Sequence, residues 1–266
     1  MKFIVAVDLE GVACAYAPCG SSVEEAFNIQ FIRKQATREA DAAAKALFDS
    51  GANEVIVWDN HGRGCSLDYD SLDERCRIAI GADSKSRYPV LDGSYSGVLL
   101  IGYHANASDG EGAVSHTFSS KEYQSVKVNG QAFGEIAIDA AIAGAKGVPV
   151  IFVSGDNKAV AEGKRFLPWI KTTETKEALS YTRIISKHPK AVIEEIYDNV
   201  KRAVEALEDM KCFEVSLPIE AEIRFRRTDA ASCARLYDMD GNPFVFADGY
   251  TRKGMLKSVE DVVFRL

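Results

Sequence analysis

Histidine and carboxylate side chains carry the first chemical signal in this sequence. Three of the four histidines, His61, His104 and His116, stand beside small or polar residues in segments typical of loops. Asp8 and Glu10 are two positions apart, so on an extended backbone both side chains project to the same side. Imidazole and carboxylate groups together suit zinc and, less specifically, Mn²⁺ or Fe²⁺. These residue types predict a metal site, provided that the fold brings them together.

The predicted strands explain how such distant residues could meet. Three apolar segments are typical of strands buried in a parallel sheet: residues 2–7, 54–58 and 97–101. Candidate ligands follow each of them in turn: Asp8 and Glu10, then His61, then His104. The carboxyl ends of parallel strands share one edge of the sheet, where ligands bind. We therefore expect these side chains to converge, although each alone also fits a capping carboxylate or a hydrogen-bonded surface histidine.

The number of candidate ligands favours two metal ions. One ion would leave ligands unused, whereas two ions sharing a bridging carboxylate would use them all. Other catalytic signatures are absent: H-E-x-x-H, G-x-x-x-x-G-K-[ST] and G-x-G-x-x-G do not occur. Residues 93–97 have the outer glycines of a nucleophile elbow, but Tyr95 stands where the serine belongs. His188 precedes Pro189 at the start of a surface-type helix, and we assign it no role.

Eight short motifs extend the pattern beyond the strand ends. They are VDLEG at 7–11, DNHG at 59–62, IGYHA at 101–105, SHTFSS at 115–120, VNG at 128–130, GEI at 134–136, GVP at 147–149 and VSGD at 153–156. In this order they resemble the DppA-like, zinc-dependent D-aminopeptidase family of the dipeptide-transport type, over roughly residues 1–160. The C-terminal third matches more loosely, through EIRF at 222–225 and RTD at 227–229. Residues 12–19 depart from the family, whose members carry a short Gly/Thr-rich turn there.

The resemblance implies a di-zinc aminopeptidase that removes N-terminal D-residues, such as D-Ala, from short peptides or amides. It implies five metal ligands: Asp8 as the bridge, Glu10 and His61 in one site, and His104 and Glu135 in the other. His116 matches the family's catalytic histidine, which would act as general acid–base or stabilise the oxyanion. Asn129 could hydrogen-bond the substrate or simply form a turn with Gly130. Asp156 is expected to cap the following helix.

The alternation of strands and helices predicts an α/β fold with a mostly parallel sheet flanked by helices. We expect a metal-binding catalytic domain over residues 1–170 and an α+β subdomain over 171–266 that packs on it and takes part in oligomerisation. Predicted helices cover 134–146, 189–210 and 252–264, and residues 22–50 are helix-rich. The resemblance further implies a homodecamer of two stacked pentamers with an internal chamber.

Composition limits the other possibilities. The chain has 266 residues, a net charge of −7 and 47% apolar residues, as in a folded globular protein. The acidic balance argues against nucleic-acid binding, and no apolar stretch is long enough for a membrane span. The six cysteines show no C-x-x-C spacing and no secretion leader is evident, so we expect reduced thiols and a cytoplasmic location. A di-metal amidase or phosphoesterase, and a non-catalytic metal- or peptide-binding homologue, remain alternatives.

Overall fold

A computed structural model describes residues 1–81 and 85–266. The strands are β1 Lys2–Val7, β2 Glu54–Asp59, β3 Arg77–Ala79, β4 Gly97–Tyr103, β5 Tyr123–Val128, β6 Gln131–Ala132, β7 Val150–Asp156, β8 Lys171–Ser180, β9 Arg183–Ser186, β10 Ile219–Phe225, β11 Val245–Phe246 and β12 Thr251–Leu256. The α-helices are α1 Ile29–Asp49, α2 Glu135–Ala145, α3 Asn157–Phe166, α4 Pro189–Glu205, α5 Thr228–Cys233 and α6 Glu260–Val263. Short 3₁₀ turns lie at Val23–Glu25, Tyr69–Ser71 and Leu207–Asp209.

The first sheet has seven strands in the order β3-β2-β1-β4-β7-β8-β9. Every neighbouring pair is parallel except β8 with β9. The central strands are apolar on both faces because helices cover both. Phe3, Val5 and Val7 of β1 pack in the core formed with α1 and α4, whereas Ile4 and Ala6 face the core formed with α2 and α3. The predicted α/β fold with a mostly parallel sheet is thus confirmed.

The second sheet has five antiparallel strands in the order β11-β12-β10-β5-β6. It shares a hydrophobic core with α2, to which β5 contributes Val126 and Val128 and β10 contributes Ile223. Helix α2 is buried along almost its whole length, which explains its Ala- and Ile-rich sequence. Its N-terminal residue, Glu135, therefore has a fixed position beside the first sheet.

The two sheets divide the chain differently from the predicted boundary after residue 170. Residues 171–186 form β8 and β9 of the first sheet, and α4 packs against α1. Residues 123–132 supply β5 and β6 of the second sheet. The difference arises because pairing between strands distant in sequence, not chain order, decides which sheet a segment joins.

The predicted helix over 252–264 is wrong. Residues Thr251–Leu256 form β12, paired with β10 and β11, and only Glu260–Val263 are helical. The buried guanidinium of Arg252 stabilises this strand by donating to the carbonyls of Phe244 and Ala231. The other predicted helices are confirmed in α1, α2 and α4. Within the described residues, no helix is both long and apolar enough to cross a membrane.

Candidate metal centre

The carboxyl ends of β1, β2 and β4 meet at one edge of the first sheet. Beyond β1, the Gly11 N–H donates to the Gly102 carbonyl at 2.7 Å. Both positions require glycine, because a Cβ on Gly11 would lie 1.9 Å from the Tyr103 carbonyl oxygen and one on Gly102 would lie 2.4 Å from the Asp8 carbonyl oxygen. This close backbone contact brings Asp8 beside His104.

The structure brings the five predicted ligands together: Asp8, Glu10, His61, His104 and Glu135. The Nε2 atom of His104 lies 3.4 Å from Asp8 Oδ2 and 3.3 Å from Glu135 Oε1. The Nε2 atom of His61 lies 3.4 Å from Glu10 Oε1. Asp8, Glu10 and His104 offer ligand atoms that all lie within 4.8 Å of one another. The same holds for His104, His116 and Glu135.

Two buried atoms of this cluster lack hydrogen-bond partners, and they indicate a cation. They are His104 Nε2 and Glu10 Oε2. His104 Nδ1 lies 3.0 Å from the Ala105 carbonyl oxygen, so Nδ1 carries the hydrogen and the Nε2 lone pair of the neutral ring faces two carboxylates. The lone pair and the carboxylate oxygens repel one another unless a proton or a metal ion lies between them. The donor set therefore fits zinc, which takes histidine nitrogen and carboxylate oxygen.

The electrostatics of the cluster point the same way. Burial raises the pKa of Asp8 well above its ordinary value, and the charge of Glu10 adds to this effect. Burial lowers the pKa of His104, but the carboxylates of Glu135 and Asp8 outweigh it and raise the pKa to about 10. Burial likewise opposes protonation of His61, whose pKa Glu10 and Glu24 raise to about 11. The site attracts positive charge, and bound metal ions would replace these protons.

His61 is oriented by a carboxylate that the sequence reading missed. Its Nδ1 lies 3.2 Å from Glu24 Oε1 and 3.3 Å from Ser66 Oγ. Glu24 also accepts a hydrogen bond from the Arg33 guanidinium at 2.6 Å. A carboxylate on the far nitrogen of a metal-binding histidine fixes the ring and increases its basicity. No motif marks Glu24, which follows the divergent segment 12–19.

His116 stacks on His104, with ring centroids 4.0 Å apart and an interplanar angle of 9°. Its Nδ1 lies 2.8 Å from the Val114 carbonyl oxygen, so Nδ1 donates and Nε2 is left with its lone pair. Nε2 lies 4.0 Å from Glu10 Oε1. Burial and the charge of His104 lower the pKa of His116, which keeps the ring neutral at pH 7.

The loop that carries His116 is tied to the helix after β7. Asp156 accepts hydrogen bonds from the Ala159 N–H at 2.7 Å and from the Ala113 N–H at 2.8 Å. The first bond is the predicted helix cap, and the second holds the segment before His116. The same carboxylate therefore caps α3 and helps to place His116 over His104.

A cleft of about 320 Å³ opens over the cluster. Asp8, Glu10, His61, His116 and Glu135 line it, together with residues to which the sequence analysis assigned no role: Glu24, Asn60, Arg87, Phe118 and Lys121. Arg87 is the least expected of these, because it follows no predicted strand and belongs to no motif.

Asn129 lies outside this group. It forms the turn between β5 and β6 with Gly130, at φ angles of 50° and 80°. Its side chain donates to the Ser216 carbonyl at 3.0 Å and accepts from the Glu220 N–H at 2.8 Å. Substrate binding by Asn129 stays a prediction that this geometry does not support.

Strand β8 anchors the segment that carries Glu10. The buried Lys176 ammonium donates to the Glu10 carbonyl and, at 2.8 Å, to the Val12 carbonyl. The Thr175 hydroxyl donates to the Gly11 carbonyl at 2.5 Å. These bonds satisfy backbone carbonyls of the first ligand loop, so β8 supports the site although none of its residues lines the cleft.

Comparison with known proteins agrees with the site. Residues 1–242 match the family described as Peptidase_M55, D-aminopeptidase. The D-aminopeptidase of Bacillus subtilis (strain 168) is 31% identical over 189 residues, which cover 69% of this chain and 66%, slightly less than two thirds, of that protein. A solved structure of the Zn-dependent D-aminopeptidase DppA from Bacillus subtilis, described as a self-compartmentalizing protease, superposes with a TM-score of 0.90 at 25% identity, over 99% of this chain and 95% of that one. The chain belongs to the peptidase M55 family of D-aminopeptidases, which are hydrolases.

Proposed function

We propose that this chain is a di-zinc, D-stereospecific aminopeptidase acting on short peptides or amides with N-terminal D-amino acids such as D-Ala. The observation that carries the proposal is the buried cluster in which His104 Nε2 and Glu10 Oε2 lack hydrogen-bond partners. Family membership and the similarity to a Zn-dependent D-aminopeptidase support the substrate class and the metal.

Asp8 is proposed as the bridging ligand because the charged groups of both proposed metal sites act on its carboxylate. The charges of Glu10, His61, His104 and Glu135 all act on its carboxylate, and His104 Nε2 lies 3.4 Å from its Oδ2. Three carboxylates against two divalent ions leave one positive charge, so the cleft suits an anionic group. When bound, the two ions supply a polarised carbonyl group and a water acidified towards neutral pH. Mn²⁺ and Fe²⁺ suit the same donors.

His116 is proposed to move the protons of the reaction. Its Nε2 lines the cleft with a free lone pair, and its lowered pKa keeps that lone pair available at neutral pH. In this role Nε2 accepts a proton from the attacking water and returns it to the leaving amine. The bond from Nδ1 to the Val114 carbonyl holds the ring in the orientation that this transfer needs.

Assembly and location complete the proposal. We expect a homodecamer of two stacked pentamers that admits only short peptides, in line with the self-compartmentalizing neighbour. Nine of the fifteen large apolar side chains exposed in the described part of the chain lie within residues 171–266, among them Val245 and Phe246. Such side chains suit subunit contacts. All six cysteines are free, which fits a cytoplasmic location.

The test is a screen of paired D- and L-aminoacyl amides with zinc-loaded protein, together with D-Ala-D-Ala and p-nitrophenyl phosphate. We expect hydrolysis of D-Ala amide and D-Ala-D-Ala, little activity on the L-enantiomers, and none on the phosphate ester. His104→Ala should abolish the activity, and His188→Ala, which removes an imidazole outside the site, should preserve it. Preferential phosphate release would favour a phosphoesterase, and metal binding without turnover would favour a non-catalytic homologue.

A further inference from the structure

A second cavity of about 320 Å³ adjoins the cleft over the ligand cluster. Asn60, Gly62, Arg87 and Phe118 line both spaces. Apolar side chains, including Trp58 and Phe264, contribute to the lining of the second cavity. A molecule bound at the cluster can therefore extend past Arg87 into a partly apolar space.

Arg87 is held rigidly at the junction of the two cavities. Its Nε and Nη2 donate to the two carboxylate oxygens of Asp139 at 2.7 and 2.9 Å, and the Tyr103 hydroxyl also donates to Asp139 at 2.7 Å. The guanidinium lies 5.1 Å from the ring centroids of both Trp58 and Phe118. Only 12% of the Arg87 side chain is exposed. Nη1 donates to none of the residues that the structure describes.

We propose that Arg87 binds the C-terminal carboxylate of a dipeptide substrate and that the second cavity takes the residue after the scissile bond. This inference rests on the proposed aminopeptidase function and names its preferred substrate class, the free dipeptide. A planar guanidinium with unused N–H groups is the side chain best suited to a carboxylate.

The distances allow this assignment. The carboxyl carbon of a dipeptide lies three bonds from the scissile carbonyl carbon, hence within about 4 Å. Arg87 Nη2 lies 3.9 Å from Glu135 Oε2. If the scissile peptide bond is held beside Glu135, the carboxylate of the following residue therefore comes within reach of the Arg87 N–H groups. Lys121 is the other cationic residue among those lining the cleft, but it is exposed at the rim. Arg87 is thus better placed than Lys121 to recognise a short substrate.

The test compares D-Ala-D-Ala with D-Ala-D-Ala amide, which has the same scissile bond but no carboxylate. Arg87→Met combined with Asp139→Asn removes the guanidinium without leaving a buried unpaired charge. Arg87→Lys keeps a cation and loses the planar fork. Lys121→Met is the matched control for a general loss of positive charge. Zinc content and thermal unfolding are measured for every variant.

We expect the double variant to raise KM for D-Ala-D-Ala by about 10- to 100-fold, as for a lost charge-assisted hydrogen bond, and KM for the amide by less than about threefold. Arg87→Lys should show a smaller defect, again confined to the free dipeptide, and it serves as the test if the double variant does not fold. Equal losses on both peptides, with or without loss of zinc, would overturn the inference and make Arg87 a positioning residue for Glu135. Unchanged KM values would also overturn it. Failure of the wild-type protein to cleave either peptide would instead refute the proposed function, and the inference with it.

Discussion

Replacement of His116 by asparagine separates proton transfer from metal binding. The asparagine amide can donate to the Val114 carbonyl in place of Nδ1, which now makes that bond at 2.8 Å. It has no atom that can accept and release a proton near neutral pH. The ring contact with His104 is lost, at a cost of about 0.5–1.5 kcal/mol in stability, which a folded chain of this size tolerates. The variant should therefore fold and bind as much zinc as the wild-type protein.

The expected loss of activity is large. A positioned acid–base group contributes about 10²–10⁴-fold, or roughly 3–5 kcal/mol of transition-state stabilisation. Burial lowers the pKa of His116, and the positive charge of bound metal ions would act in the same direction, so the active, neutral form predominates above that pKa. The wild-type kcat should rise with pH through a value below 6.5 and then level off, and His116→Asn should lack this acidic limb.

The assay is kcat on D-Ala amide across pH 5–9, with zinc content and thermal unfolding recorded on the same samples. His188→Asn is the matched control, because His188 lies at the exposed N-terminus of α4, where its side chain accepts from the Lys190 N–H. Loss of zinc together with activity would make His116 a metal ligand. Activity within about fivefold of wild type would refute its role in proton transfer.

Three further substitutions test the supports of the site. Asp8→Ala should lower the content of both metals and abolish activity while the fold is retained, as metal analysis and circular dichroism would show; retention of both ions would exclude a bridging role. Lys176→Met removes the donor to the Glu10 carbonyl and leaves the Val12 carbonyl to the Ala15 N–H, so it should cost about 1–3 kcal/mol in stability and weaken zinc binding about 10- to 100-fold in a chelator competition; unchanged affinity would show that β8 does not position Glu10. Burial raises the pKa of Glu39 from 4.5 to about 7, so the stability that its protonated form contributes is present below pH 4.5 and is lost as the pH rises to 7. In urea unfolding, the free energy of unfolding should fall by about 3 kcal/mol between these pH values because of Glu39, and Glu39→Gln should remove this fall. The same fall in the variant would contradict the assignment.

The sequence predicted those parts of the site that depend on strand ends. Asp8, Glu10, His61 and His104 each follow a strand whose apolar run is readable without a structure. The rule that parallel strands share one carboxyl edge then places these residues together. Glu135 was different, because it opens a helix between the two sheets, and only the resemblance to a known family identified it.

The missed residues depend on contacts between distant segments. Lys176 lies in a strand of mixed polar sequence, and its burial is explained by backbone carbonyls of the first ligand loop. Arg87 lies in an irregular segment, and its position depends on Asp139 of α2 and on two aromatic rings. Strand β12 was predicted as helix because its pairing with β10, some 30 residues away, leaves no local pattern in the sequence. Local periodicity carries no information about such partners.

The number of zinc ions bound per chain tests the central claim most directly. Purified protein is freed of metal, titrated with zinc, and assayed for bound metal by mass spectrometry after gel filtration, alongside His104→Ala and His188→Ala. We predict two zinc ions per chain for the wild-type protein and for His188→Ala, and fewer than two for His104→Ala. Binding of no zinc, or of a single ion that His104→Ala leaves in place, would contradict the two-metal centre.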